Sequence, residues 1–257
     1  MSNRILPAIA AVAALAISSV ASATLVRMTS FTGEWSTATG SPDLLNFFGT
    51  PNNPQVRWGI PIGNGSQSGY DLDLAPNGSV AVPIDQNVPP NTSPFLIGNF
   101  THVNQPIGGN SITGIDLEIT FHIDIDGSDQ GFHHFFFHFA RDETPNGPPC
   151  PYGPPDLSGI NDQGCADSVT VSFLTASDTF TVGTVAYTFN LLGFSSPGTD
   201  CNGTISNQFL TREIADNQAD LCASIQTRDS VQVPEPGTLA LLGLGIIGLR
   251  LARRRLH

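Results

Sequence analysis

The longest regular pattern in the sequence lies between Ile112 and Ile125, where apolar and polar residues alternate. One set comprises Ile115, Leu117, Ile119, Phe121, Ile123 and Ile125, and the other comprises Asp116, Glu118, Thr120, His122 and Asp124. A period of two is typical of a β-strand with one buried face. Asp126 to Asp129 then reads as a turn, and Phe132 to Ala140 returns with Phe135, Phe137 and Phe139 on alternate positions. The pattern predicts a long central β-hairpin.

The rest of the chain from Leu25 to Arg228 shows no sustained helical periodicity. Short runs rich in Val, Ile, Phe and Thr recur between Gly and Pro residues, which favours an all-β fold. Later strands are predicted at residues 168–174, 179–182, 185–191, 204–213 and 221–227, and the Pro-rich segment 144–164 is predicted to be an exposed loop. We therefore expect a single β-sandwich-like domain over residues 24–232, with no second domain.

Charge is distributed very unevenly along the sequence. Lysine is absent, and the segment from Thr24 to Pro236 carries five arginines against 22 acidic residues, a formal charge of −17. Proteins hold nucleic acids by neutralising phosphates with Lys and Arg, so nucleic-acid binding is not expected. Divalent cations, or solubility alone, fit such a surface better.

Four cysteines, Cys150, Cys165, Cys201 and Cys222, lie in this acidic part of the chain. An even number in an exported domain predicts two disulfides, for which the sequence allows three pairings. We favour Cys150 with Cys165 and Cys201 with Cys222, because each pair closes a short, turn-rich segment. Structural zinc is not expected, since no C-x-x-C pair or neighbouring histidine is present.

The N-terminus has the pattern of a secretory signal peptide. Arg4 precedes an apolar run from Ile5 to Ile17, and Ala21-Ser22-Ala23 is a small-x-small site, so we expect signal peptidase to remove residues 1–23. A membrane anchor is the alternative. The apolar run is shorter than the roughly 20 residues that a spanning helix needs, and Pro7 interrupts it.

The C-terminus, residues 233–257, has three consecutive parts. Pro234-Glu235-Pro236 precedes an apolar segment, and Arg253 to Arg255 follow it. A helix over Thr238 to Ala252 would span about 22 Å, against a hydrocarbon core of roughly 30 Å. This tail resembles the PEP-CTERM sorting signal. The resemblance implies a substrate of exosortase in a Gram-negative bacterium that makes extracellular polysaccharide, anchored transiently in the inner membrane and then delivered to the cell surface or extracellular matrix.

A second short motif, Thr101-His102-Val103-Asn104, follows an apolar run. It resembles the signature of the THxN group of PEP-CTERM proteins, to which Val56 to Gly59 and Gln67 to Gly69 are also similar. The resemblance implies a fold and a destination but no reaction. His102 and Asn104 share one face of an extended segment, where they either tie a loop to a strand end or hold a ligand.

The predicted hairpin also carries histidines on its polar face. If His122 pairs opposite His134, then Glu118 falls opposite His138, and these four side chains are candidate ligands for a divalent metal. Aromatic packing is the alternative explanation for the histidines. Clustered carboxylates at Asp124, Asp126 and Asp129 suggest either a calcium loop or an ordinary Asp-Gly turn, and the EF-hand spacing is not met.

The sequence thus predicts an exported structural or interaction protein that needs no cofactor. A carbohydrate- or divalent-metal-binding module is the alternative. Catalysis is not expected, because no Gly-x-Ser-x-Gly elbow is present and the Ser66 to Ser68 region has a different spacing.

Overall fold

The computed structural model describes residues 24–74, 79–84, 92–154, 159–173 and 178–229. These residues form β-strands, turns and loops without any helix, so the all-β prediction is confirmed. The predicted signal peptide and the sorting tail lie outside the described residues. Across the described ranges, no helix of sufficient length and apolarity to cross a membrane is found.

Fifteen strands follow one another in the described residues. They are β1 (Thr24–Thr39), β2 (Asn46–Thr50), β3 (Asn53–Trp58), β4 (Ile60–Pro61), β5 (Ser68–Leu74), β6 (Ser79–Ile84), β7 (Phe95–Asn104), β8 (Ile107–Gly108), β9 (Gly114–Ile125), β10 (Ser128–Asp142), β11 (Asp167–Phe173), β12 (Asp178–Val182), β13 (Val185–Ser195), β14 (Gln208–Thr211) and β15 (Ala215–Asp229).

The strands form two large antiparallel sheets and one short pair. The six-stranded sheet has the order β14-β11-β10-β9-β1-β6, the seven-stranded sheet has the order β12-β13-β15-β7-β5-β3-β2, and β4 pairs with β8. Rings from the two large sheets meet in one core. Phe100 on β7 lies 5.5 Å from Phe139 on β10, and Phe121 on β9 lies 5.2 Å from Phe189 on β13. Bulges in β1 curl its sheet around this core.

The central hairpin of β9 and β10 is confirmed, and its apolar set is buried as the alternation predicts. Phe121, Phe135, Phe137 and Phe139 are all almost completely inaccessible to solvent, as are Ile115, Leu117 and Ile119. Burial of a whole face is favoured because each large apolar side chain gains about 1.5–3 kcal/mol when it leaves water.

The pairing register within this hairpin differs from the prediction. Phe132, rather than His134, lies opposite His122, and His138 lies opposite Asp116 rather than Glu118. The turn holds only Asp126 and Gly127, both with positive φ, and a bulge between Asp129 and Gly131 then sets the register. A tight turn of this kind matches the twist of the flanking strands. The predicted opposition of His122 and His134 was therefore wrong by two residues.

The later strands appear where they are predicted, although β14 is much shorter than the expected 204–213. Ser206 pairs instead with Phe194 as an isolated bridge.

Both favoured disulfides, Cys150–Cys165 and Cys201–Cys222, are formed, with Cα separations of 5.0 and 5.7 Å. The described part of the Pro-rich segment between β10 and β11 contains no strand, in agreement with the predicted loop.

Candidate functional site

The candidate site forms where β7 ends. β7 lies between β15 and β5 in the seven-stranded sheet, and its alternation turns His102 and Asn104 towards the interior. Both residues are fully buried, which confirms that they share one face. The other residues of the site lie on β3 and β5, at or just beyond the ends of β10 and β14, and at the beginning of β11.

His102 connects the two large sheets through a hydroxyl group. Its Nδ1 lies 2.9 Å from Thr211 Oγ1, and Thr211 Oγ1 donates to the carbonyl of Asp167 at 3.4 Å. Because the hydroxyl has one proton, Nδ1–H of His102 is the donor to Thr211, and Nε2 is left as an unprotonated acceptor. Burial, with smaller contributions from the charges of Arg141 and Arg57, holds the pKa of His102 well below its usual range. The imidazole is therefore neutral.

Arg141 provides a buried positive charge next to this histidine. Its guanidinium lies 2.5 Å from the Asp167 carboxylate, and both side chains are inaccessible to solvent. The same guanidinium donates to Glu143 and approaches Asn104 Oδ1 at 3.4 Å. It also lies over the ring of Trp58, 5.4 Å from the ring centroid. A buried charge of this kind is tolerated only when it is paired and hydrogen-bonded, as it is here.

Three carboxylates surround Arg141. One oxygen from each of Glu143, Asp167 and Glu213 lies within 4.8 Å of the other two. Asp167 accepts from the Thr144 backbone at 2.8 Å as well as from Arg141, whereas neither oxygen of Glu213 has a hydrogen-bond partner. Burial, followed by the charge of Asp167, raises the pKa of Glu213 to about 7. Burial also raises the pKa of Asp167, and the charge of Arg141 opposes that rise.

Unpaired polar atoms are concentrated in this one region. Among the described residues, the buried side-chain atoms without a hydrogen bond are Trp58 Nε1, Tyr70 OH, His102 Nε2, Asn104 Nδ2, Arg141 Nε and both carboxylate oxygens of Glu213. Their residues touch one another. The ring of Tyr70 lies 4.9 Å from that of Trp58 and 5.0 Å from that of His102. We call these six residues, with Glu143, Asp167 and Thr211, the buried polar cluster.

Such a concentration is unusual for a protein interior. Nearly all buried polar groups in native proteins are hydrogen-bonded, and each unpaired one costs about 1–3 kcal/mol. Several in one place therefore indicate an occupant such as water or an ion, which supplies the absent partners. Sequence reasoning found only His102 and Asn104 of this cluster. Arg141, Asp167 and Glu213 come from three distant segments and carry no local motif.

The predicted histidine face is organised differently. Each histidine contacts its own carboxylate: His122 with Asp129 at 2.9 Å, His134 with Glu118 at 2.6 Å and His138 with Asp116 at 2.7 Å. The structure thus brings His134 and Glu118 together but leaves His122 and His138 apart from them. Within the described ranges, the group of side chains with metal-binding geometry is the carboxylate group of the buried polar cluster.

The aspartates near the hairpin turn serve its backbone. Asp124 accepts from the Gly127 amide at 2.8 Å, Asp129 accepts from the Gly131 amide at 2.7 Å, and Asp126 accepts from the Leu25 amide at 2.7 Å. Side chains that accept from nearby amides in this way stabilise tight turns. This arrangement supports the Asp-Gly turn rather than the calcium loop.

Comparison with known proteins identifies the C-terminal tail. A family model described as the PEP-CTERM protein-sorting motif matches residues 232–255, a range that includes Pro234, Glu235 and Pro236. No curated protein matches the chain. The motif is that of an exported protein that is anchored in the membrane before exosortase processes it.

Proposed function

We propose that the chain is a structural or interaction protein of the cell surface or extracellular matrix, delivered there by exosortase after signal peptidase removes residues 1–23. The sorting motif at residues 232–255 carries this proposal. No catalysis is required for it. Association with extracellular polysaccharide is the interaction we consider first, because resemblance to the PEP-CTERM signal implies a bacterium that makes such a polysaccharide.

The architecture suits a scaffold that works outside the cell. Two disulfides brace the segments that leave β10 and β13, and disulfides persist in oxidising compartments. The hydrophobic core is continuous between the two large sheets. The formal charge of −17 over residues 24–236 keeps such a surface soluble and repels other anionic chains.

Membership of the THxN group is part of the proposal. Its support is the position of His102 and Asn104, which are fully buried in the buried polar cluster rather than exposed in a loop. Substitution at either position would remove a polar group from a set of mutually dependent contacts. Such positions accept few residue types, as a signature motif requires.

A carbohydrate-binding role is the second candidate, favoured by exposed aromatic rings on an edge strand. Phe47 and Phe48 on β2 are both 44% exposed, and they border a groove that also contains Gln55 and Glu118. This combination of groups suits a sugar ring. Aromatic rings pack against its apolar face, and carboxamide and carboxylate groups form hydrogen bonds with its hydroxyls. Loss of glycan-array binding in Phe47→Ala with Phe48→Ala, but not in Phe132→Ala, would support this role.

Processing is tested by intact-mass measurement of the full chain expressed in a host with exosortase and in a matched strain that lacks it. We expect the exosortase host to yield a protein without residues 1–23 and without the end of the tail. The strain without exosortase should retain a chain that ends at His257, as should a variant with Pro234→Ala, Glu235→Ala and Pro236→Ala. Glu118→Gln, far from the tail in sequence, is the control and should be processed like wild type. A chain that still ends at His257 in the exosortase host would contradict the proposal.

A further inference from the structure

The charges of the buried polar cluster do not balance within the protein. Arg141 supplies one positive charge, whereas Glu143, Asp167 and Glu213 supply three negative charges when ionised. His102 adds no charge in the tautomer that donates from Nδ1 to Thr211, which leaves Nε2 unprotonated. The neighbouring charged pairs, Arg57 with Asp71 and Arg212 with Asp162, are neutral as pairs. With all three carboxylates ionised the net charge is −2, two of these carboxylates are buried, and one divalent cation would cancel that charge.

The carboxylates have coordination capacity that the protein does not use. Both oxygens of Glu213 are free, and Glu213 is only 1% exposed. The ion pair of Glu143 uses Oε2, and its side chain is 32% exposed. Asp167 accepts one hydrogen bond at each oxygen, and each carboxylate oxygen has a second lone pair. Their spacing, within 4.8 Å, is compatible with oxygens that share one ion at 2.3–2.6 Å each.

Asn104 provides an independent indication of a ligand. It is fully buried, and its Nδ2 has no hydrogen-bond partner. Its Oδ1 accepts from Arg141 Nη2 at 3.4 Å, so Nδ2 is the part of the amide that is left without a partner. A water molecule coordinated to a bound cation would supply the acceptor that Nδ2 lacks.

We propose that Glu143, Asp167 and Glu213 bind one calcium ion, with Asn104 Nδ2 as a donor to a water molecule coordinated to that ion. The ligands are all oxygen, which selects a hard cation over zinc or copper. Calcium fits better than magnesium, because it accepts irregular coordination by six to eight oxygens, whereas magnesium demands a near-ideal octahedron. This site is distinct from the histidine face and does not depend on the sorting of the protein.

One of the three carboxylates lines a surface cleft. A surface cleft between the 107–113 segment and the end of β10 is lined by Asn110, Ser111 and Glu143. Glu143 is the most exposed of the three carboxylates, so it lies at the mouth of the site, while Asp167 and Glu213 lie below it. Calcium would join the ends of β10 and β11 to the connection between β14 and β15, which links the two large sheets. It would therefore stabilise their association as well as cancel charge.

The test is calorimetric titration of the exported, disulfide-bonded protein with calcium chloride after treatment with EDTA. We expect one ion per chain, with a Kd of about 10⁻⁴ to 10⁻³ M, as for extracellular calcium modules. Glu213→Gln and Glu143→Gln should each weaken binding at least tenfold. Glu118→Gln, on the histidine face, should bind calcium like wild type. Absence of calcium binding in the wild type, or equal loss in Glu118→Gln, would overturn the proposal.

Thermal unfolding provides a second readout that does not depend on a binding signal. Without calcium, Glu213→Gln should unfold at the same temperature as wild type or higher, because the substitution removes an unpaired buried carboxylate. With 10 mM calcium, the wild type should gain several degrees and the variant should not. If Glu213→Gln fails to fold, Glu143→Gln serves the same comparison, since its side chain is partly exposed. Equal shifts in wild type and variant would reject the site.

Discussion

His102 Nδ1 lies 2.9 Å from Thr211 Oγ1, although 109 residues separate the two in sequence. β7, which carries His102, belongs to the seven-stranded sheet, and β14, which carries Thr211, belongs to the six-stranded sheet. The hydrogen bond therefore links the two sheets at a fully buried position. It also determines the tautomer of the imidazole, because Thr211 uses its own proton on the carbonyl of Asp167.

Thr211→Val tests this link directly. The substitution preserves the shape of the side chain but leaves His102 Nδ1–H without an acceptor, so we expect a loss of about 1–3 kcal/mol in the free energy of unfolding. Thr179→Val is the matched control, since Thr179 Oγ1 contacts Thr188 Oγ1 at the same distance of 2.9 Å in an exposed position. In urea denaturation, that control should lose less than about 0.5 kcal/mol of unfolding free energy. Equal effects of the two substitutions would mean that the buried link adds nothing.

The neutral state of His102 predicts a specific dependence of stability on pH. Its pKa in the folded protein lies well below 6.5, so the unfolded chain binds more protons at this residue as the pH falls below 6.5. The folded state then loses stability by up to about 1.4 kcal/mol per pH unit until the folded pKa is reached. His102→Gln should lack this contribution. Urea denaturation at pH 7.5, 6.5 and 5.5 measures it.

Glu213 titrates over part of the same pH range, and its protonation has the opposite effect on stability. The contribution of His102 is therefore taken from the difference in unfolding free energy between wild type and His102→Gln. The pKa of Glu213 is raised from 4.5 to about 7, so its protonation favours the folded state as the pH falls from 7 to 4.5. We expect the stability of the variant relative to wild type to improve from pH 6.5 to 5.5. A constant difference over that interval would show that His102 takes up protons equally in the folded and unfolded states, so that burial does not lower its pKa.

Two phenylalanines on β10 differ in burial and so test which face of the central hairpin is buried. Phe137 is fully buried on β10, whereas Phe132 on the same strand is 61% exposed. Phe137→Ala should cost about 3–5 kcal/mol of unfolding free energy, and Phe132→Ala should cost far less. His134→Ala should also cost little, since its partner Glu118 lies on the polar face. Chemical denaturation of the three variants measures this order, and unfolding by His134→Ala would contradict the assignment of faces.

The same histidine tests the predicted metal site on that face. If His122, His134, His138 and Glu118 hold zinc or copper, His134→Ala should abolish binding in calorimetric titration. The structure gives each histidine a separate carboxylate partner, so binding would require at least two of these contacts to rearrange. If the wild-type protein binds neither zinc nor copper, the role of these histidines is their contact with the carboxylates.

Sequence reasoning succeeded where the determining interactions are local. Alternation over β9 identified its buried face, because each side chain in a strand points opposite to the next. The hairpin register was missed because the turn holds two residues, Asp126 and Gly127, rather than the expected four from Asp126 to Asp129; the bulge near Asp129 then shifts the pairs beyond it by one residue. The buried polar cluster was found only in part. His102 and Asn104 stand in one short motif, but Arg141, Asp167 and Glu213 meet them only through the pairing of distant strands.

The two disulfides should contribute nearly equal stability. Cys150–Cys165 closes a segment of 15 residues and Cys201–Cys222 one of 21 residues, and the entropy that a disulfide removes from the unfolded chain grows only with the logarithm of that length. Each is therefore expected to contribute about 3 kcal/mol. Replacing each pair by serine and measuring urea denaturation tests this, and peptide mapping without reduction checks the pairing.

The turn that carries Cys201 has a second attachment to β15 besides the disulfide. The carboxylate of Asp220 accepts from the amides of Gly198, Thr199 and Asp200 at 2.9–3.0 Å, so the turn that carries Cys201 stays attached to β15 after the disulfide is removed. These contacts act on the folded state, whereas the disulfide acts mainly on the unfolded chain, so the two effects should add. Asp220→Asn in the serine variant should therefore cause a further loss of about 1–3 kcal/mol. No further loss would show that the disulfide and the carboxylate hold the turn only together.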